Sequence, residues 1–164
     1  MNKRYLIILM VVIALLSCNK TNKCEKTETL TPEKELIIQN EVKNVMSDII
    51  KSVNTLNADS AFKYICKKNY VGFTDNGKSL RNHDSTLNMF KRIYSSLQKL
   101  DIKLIDDKYT ALSPDIAIFT TSFEEEIVDK NNTLTKAKGA MTAVLKKSEN
   151  QWRVIHVHQS YYNE

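Results

Sequence analysis

The chain has 164 residues, 42% of them hydrophobic, with only three Gly and two Pro. That is room for one domain with a real core, and it argues against disorder or low complexity. The formal charge is +5; without Lys3 and Arg4 it falls to 22 basic against 19 acidic residues, scattered and without a basic run, too little for a nucleic-acid partner to be expected.

Residues 1–17 read as a targeting segment. Lys3 and Arg4 form a charged start, and Tyr5 to Leu16 is an apolar run too short to cross a bilayer as a helix. It ends in Leu15-Leu16-Ser17-Cys18, which resembles a bacterial lipobox. That resemblance implies cleavage before Cys18 and a diacylglycerol on its thiol. Asn19 follows, not the Asp of inner-membrane retention, so the implied destination is the outer membrane of a cell that has one. Residues 18–31 are the lipidated Cys and a polar tether, reaching at most about 45 Å when fully extended. Of the remaining cysteines, Cys24 and Cys66 could pair in an oxidising compartment. The favoured reading is a buried Cys66 acting as a small hydrophobe, with Cys24 loose. No Cys/His spacing suggests zinc.

The folded domain spans 32–164. Thr31-Pro32-Glu33 opens a helix, with Thr as N-cap and Pro at the first helical position. Ile38, Val42, Val45, Ile49, Val53 and Leu56 recur at three- and four-residue steps, predicting one apolar stripe to about Asn57. A short helix follows from Asp59, burying Phe62, Ile65 and Cys66. Tyr70, Val71 and Phe73 predict a short strand that breaks at the turn Asp75-Asn76-Gly77. A third helix, capped by Asn82 or Asp84, carries Leu87, Phe90, Tyr94 and Leu97 to about Leu100. The period then changes from about 3.6 to 2. Strands are predicted over Ile102–Leu112, Ile116–Val128, Thr133–Lys147 and Trp152–Tyr161, with short connections, hence an antiparallel meander. Three helices followed by a long-stranded meander make an α+β domain. A curved sheet around the first helix leaves a cavity at its wide end.

The last strand is the most specific stretch. Alternation puts Trp152, Val154, His156, His158 and Ser160 on one face and Arg153, Ile155, Val157 and Gln159 on the other. Gln151-Trp152-Arg153-Val154-Ile155-His156-Val157-His158-Gln159-Ser160 resembles the terminal strand of the NTF2-like, or cystatin-like, α+β-cone superfamily. Asp59-Ser60-Ala61 and Asp115-Ile116-Ala117 are weaker matches. Within the superfamily the chain is most similar to SnoaL-like and DUF4440-type domains and to the association domain of calcium/calmodulin-dependent protein kinase, over about residues 33–161. The resemblance implies a pocket between helices and sheet, and frequent dimerisation through the outer sheet face. The superfamily includes isomerases, polyketide cyclases, dehydratases, transport factors and non-enzymatic modules, so the fold alone does not fix a function. The kinase domain lines its pocket with arginines. Here the matching positions are Ala143 and Gln159, so that anion site is not carried over. The same match turns Ala143, Ile155, Val157 and Gln159 inward, and His156 and His158 toward an outer interface with Trp152.

Three constellations follow. His156 and His158 lack a third metal ligand, since Thr142 and Val144 are poor ones, and read as hydrogen-bonded sheet or interface residues; no metal or other cofactor is expected. Acid–base catalysis needs a carboxylate in an apolar pocket and a hydroxyl donor. Asp75 with Tyr64 or Tyr70 could supply them, although Asp75 also reads as a turn residue and both Tyr as core edges with a wet hydroxyl. The inward positions Ala117, Phe119, Thr121 and Phe123 bring no carboxylate, and Glu124-Glu125-Glu126 reads as a solvated rim. The favoured expectation is a non-enzymatic homodimer binding a small apolar molecule or a protein partner, lined by Phe119, Thr121, Phe123, Met141, Ala143, Val157 and Gln159. Its rivals are an isomerase- or cyclase-like enzyme and an assembly module with a filled cone.

Overall fold

A computed structural model describes residues 30–162. The targeting segment, Cys18, Cys24 and most of the tether lie outside the described residues. Helix α1 (Pro32–Asn54) begins as its sequence dictates: the Thr31 side chain accepts the Lys34 N–H at 3.3 Å, with Pro in the first turn and Glu33 and Glu35 beside the positive helix end. It buries Ile38, Val42, Met46 and Ile49. It stops three residues earlier than the stripe suggests, because Leu56 takes a φ of 55° and turns the chain. Helix α2 (Ala58–Phe62) follows, capped by Asn57. Strands β1 (Gly72–Asp75) and β2 (Lys78–Leu80) form a hairpin on Asn76 and Gly77, at φ 44° and 80°. Two positive φ values in the turn match the right-handed twist of the strands.

Helix α3 (His83–Ser95), capped by Asn82, is also shorter than predicted. The Ser95 and Ser96 hydroxyls donate back to the carbonyls of Arg92 and Ile93 at 2.7 Å, an alternative to helix continuation. Leu97, read as helical, instead begins β3 (Leu97–Ser113). Then come β4 (Ile116–Asp129), β5 (Leu134–Ser148) and β6 (Gln151–Tyr162), antiparallel in sequence. The predicted turns hold. Asp129 caps the β4–β5 turn by accepting the N–H groups of Asn131 and Thr133 at 2.8 Å, and Glu149-Asn150, at φ 52° and 60°, close the last hairpin.

Among the described residues the sheet has six strands, in the order β2-β1-β6-β5-β4-β3, not the four of the meander alone. β1 pairs in parallel with β6, Phe73 opposite Val157 and Asp75 opposite Gln159. A break in register between Ile105 and Lys108, with Asp106 at φ 57°, bends β3.

One irregularity corrects the reading of the last strand. Leu145 pairs with Val154 and Val144 with His156, so Ile155 is an extra residue. Because a bulge shifts the side-chain alternation by one, Trp152 and Val154 face inward together with Val157 and Gln159. Trp152 is 5% exposed and Val154 1%. Trp152 is therefore a core residue and not part of an outer interface, and Val154, not Ile155, meets the helix. His156 and His158 stay on the outer face, half-buried and exposed respectively.

The core joins Ile38, Val42, Met46 and Ile49 of α1 to Ala117, Phe119, Ala143, Leu145, Trp152 and Val154 of the sheet. Small residues at 117 and 143 let the helix backbone approach closely. Two polar clamps fix the helix on the sheet. At its C-terminal end the Asn54 amide accepts the Ile102 N–H at 2.9 Å and donates to the Ile102 carbonyl at 3.2 Å. Nearer its start, the Glu41 carboxylate accepts from Trp152 Nε1 at 2.6 Å and Lys147 Nζ at 2.7 Å. The Lys147 hydrogen bond holds the Glu41 pKa below its ordinary 4.5, with Trp152 adding to it against the cost of burial. A carboxyl whose folded pKa is depressed stabilises the fold above its unfolded value and loses that contribution as the pH falls through the folded one. Urea unfolding midpoints of wild type and Glu41→Gln should accordingly differ at pH 7 and converge as the pH falls below 4.5 and through the depressed folded value.

Candidate functional site

The narrow end of the cone is filled by α1 side chains; the wide end is not. A cavity of about 270 Å³ lies there between α1, α3 and the inner sheet face. Its walls are apolar, formed by Ile50, Phe62, Met89, Phe90 and Ile127 among others. On the sheet side the polar lining is Asp75 of β1, Glu125 of β4, and Gln159 and Tyr161 of β6.

Glu125 continues the inward series Ala117, Phe119, Thr121 and Phe123, and is 6% exposed. Burial pushes its carboxyl pKa up; the Tyr161 hydroxyl, donating to it, partly offsets this, and the Asp75 charge pushes it further up. Tyr161 is held in its phenol form by burial, by the Glu125 charge and by its bond to Glu125. The Gln159 amide donates to the same hydroxyl at 3.2 Å. Tyr94, buried on α3, is likewise kept protonated, first by burial and then by the Glu125 charge. Asp75 ends β1, and its Oδ1 is buried without a hydrogen-bond partner.

The local sequence explains how these groups converge. Asn76 staples the β1–β2 turn to β6: its backbone N–H donates to the Gln159 carbonyl at 3.3 Å, and its side-chain oxygen accepts the Tyr161 N–H at 3.0 Å. That fixes Asp75 beside Gln159 and Tyr161. Gly139 on β5 lies opposite both Phe123 and Tyr161, whose rings meet edge-to-face at 5.6 Å above it. A Cβ at 139 would fall 2.5 Å from both the Phe123 Cζ and the Ser160 carbonyl oxygen. Since the second atom is backbone, the strand itself must shift. Gly139→Ala should lower stability by about 1–3 kcal/mol and displace the Tyr161 ring. Thermal unfolding, together with the Phe123 and Tyr161 ring signals in NMR spectra, would register both effects.

The expected site residues divide by depth. Asp75, Phe123, Met141, Val157 and Gln159 line the cavity. Phe119 and Ala143 do not: both are completely buried under α1. Thr121 is buried too, its hydroxyl donating to the Ile105 carbonyl at 2.9 Å beside the β3 bulge. Tyr70 lines the cavity, with its hydroxyl 3.1 Å from that of Thr86. Tyr64 lies outside it, donating to Asp48 at 2.9 Å. Glu125 corrects two expectations, that the triple-Glu run is all rim and that no carboxylate points inward. Glu124 and Glu126 face outward to Lys138 and Lys136 at 3.5 and 2.6 Å, while Glu125 between them turns in. Strand parity carried two residues past Phe123 identifies Glu125, and two past Gln159 identifies Tyr161. Cys66 is buried as a free thiol. Among the described residues no group of three His, Cys, Asp or Glu could hold a metal ion, and no helix is long and apolar enough to cross a membrane.

Solved structures superpose on this architecture at low sequence identity. An NTF2-like superfamily protein from Salmonella enterica is 15% identical, with a TM-score of 0.71 over 79% of this chain and 94% of its own. A candidate scytalone dehydratase from Novosphingobium aromaticivorans is 9% identical, with a TM-score of 0.74 over 81% and 89%. A ketosteroid isomerase-like protein from Erwinia carotovora is 12% identical, with a TM-score of 0.66 over 77% and 97%. These likenesses establish the NTF2-like fold and nothing finer. No curated protein matches the chain in sequence. A family model described as the SnoaL-like domain matches residues 42–164, from the middle of α1 through the strand that carries Gln159 and Tyr161. The chain belongs to the SnoaL-like domain family.

Proposed function

We propose that the domain is an acid–base enzyme that takes a small, largely apolar molecule into the wide end of the cone and moves a proton on it. Glu125 is the acid–base group and Tyr161 its hydrogen-bonding partner. The observation that carries this reading is a carboxyl only 6% exposed, with its pKa raised by burial, on the wall of an apolar cavity. A carboxyl lifted toward neutrality exchanges protons with carbon or oxygen acids more effectively near pH 7 than an ordinary one. A phenol held in its protonated form can donate to an oxygen that gains negative charge. The internal carboxylate moves the reading from binding alone to binding with chemistry. Two structural neighbours bear isomerase-like and dehydratase names, which agrees in class. Hydrogen–deuterium exchange beside the carbonyl of apolar cyclic ketones, followed by NMR in D₂O, tests it. The enzyme should accelerate exchange over buffer, and loss of Glu125 should remove the acceleration.

The lipobox supports a location as well. In this reading Cys18 carries a lipid that tethers the domain in the bacterial cell envelope, outside the cytoplasm, and Cys18→Ala moves the protein from the membrane fraction to the soluble one. The outer sheet face with His156 and His158 is the surface on which two copies would pair; light scattering across a concentration series reads that directly.

A further inference from the structure

We infer that the molecule bound in the cavity carries a positively charged nitrogen, and that Asp75 is its counter-ion. This rests on the acid–base reading for the site but assigns a different job to a different residue. Glu125 has the Tyr161 hydroxyl as its partner. Asp75 lines the same cavity, and its Oδ1, packed out of water behind that wall, has no hydrogen-bond partner among the described residues. A desolvated carboxylate oxygen without a donor is costly, and a ligand able to supply a charge or an N–H relieves that cost.

The rest of the wall agrees in sign and in shape. Among the described residues no Lys, Arg or His side chain lines the cavity, whereas two carboxylates do. An anionic ligand would find no cation there to pair with. Around the carboxylates stand aromatic rings: Phe73 and Phe90 edge-to-face at 5.2 Å, Phe90 and Tyr94 at 5.7 Å, and Phe123 and Tyr161 at 5.6 Å. Ring faces attract cations, more so when both are desolvated. The Asn76 staple holds the carboxylate in place without neutralising it, since both of its bonds go to β6 backbone. A compact apolar body with one ammonium group therefore fits every wall of this cavity, and its neutral counterpart leaves Asp75 Oδ1 unpaired.

Three probes of nearly equal shape separate charge from bulk: benzyltrimethylammonium, its uncharged carbon analogue neopentylbenzene, and benzylsulfonate. Titrated against the full-length chain by NMR shifts of the Met141 methyl, the ammonium should bind at least about tenfold tighter than the hydrocarbon, a difference of 1.4 kcal/mol. The sulfonate should bind more weakly than either. Asp75→Asn should bring the ammonium-to-hydrocarbon ratio close to one. Equal affinities on the native chain, no ammonium binding at all, or a ratio that survives Asp75→Asn would each overturn the inference. The native-chain comparison stands even where the variant folds poorly. Glu125-dependent exchange without ammonium preference would remove only this inference. Ammonium preference without exchange would remove only the acid–base reading.

Discussion

Glu125→Gln should abolish proton transfer while making the protein more stable at neutral pH. The amide keeps the size of the side chain and still accepts from the Tyr161 hydroxyl, but it cannot take or give a proton. Loss of a positioned acid–base group costs about 10²- to 10⁴-fold in rate. The stability effect follows from the direction of the pKa shift. Glu125 is raised above its ordinary 4.5 by burial and by the Asp75 charge. A carboxyl raised on folding contributes fully below its unfolded value, and that contribution is lost as the pH climbs through the folded value. At neutral pH the native chain therefore carries a penalty for ionising Glu125 that the amide lacks. Chemical denaturation of both proteins between pH 4 and 8 should show the midpoints diverging upward with pH, in the variant's favour. Gain of stability with loss of turnover is expected of a group kept for chemistry at the expense of the fold. A variant that loses stability and keeps its exchange rate would place Glu125 among structural residues.

Trp152→Ala should be the most destabilising single change in the sheet, costing about 3–5 kcal/mol. The indole is 5% exposed against the α1 core, and its N–H is the short bond to Glu41. Truncation leaves a cavity beneath the helix and removes one of the two donors on that carboxylate. The loss should not depend on protein concentration. Had Trp152 lain on an outer pairing face, alanine would have weakened association and left monomer stability nearly intact. Denaturation at two concentrations a hundredfold apart distinguishes the two outcomes.

These two residues also show where sequence reasoning succeeds and where it stops. Periodicity found α1, the four long strands and their turns, because binary patterning and turn chemistry are local properties. The inward series from Ala117 to Phe123 followed from alternation alone, and it was Glu125 at the next step that charge made look like surface. A charged residue is ordinarily exposed, and nothing local says that Tyr161 and the β1 turn will close over it. Trp152 failed for a different reason. Alternation assumes an unbroken strand, and the bulge at Ile155 moves everything before it to the other face. Bulges answer to the pairing of two strands, which a single strand's sequence does not display. The parallel contact between β1 and β6 is hidden in the same way, since each residue of Gly72–Asp75 lies 84 positions from its partner in His156–Gln159.

The central claim is that Glu125 sits out of water beside Tyr161 at the wide end of the cone. It is tested most directly by titrating the Glu125 side-chain carboxyl carbon in ¹³C NMR spectra, assigned by the missing signal in Glu125→Gln. A titration midpoint above 4.5, moving down in Asp75→Asn as the neighbouring charge is removed, is the predicted result. A midpoint at or below that ordinary value, indifferent to Asp75, would contradict it.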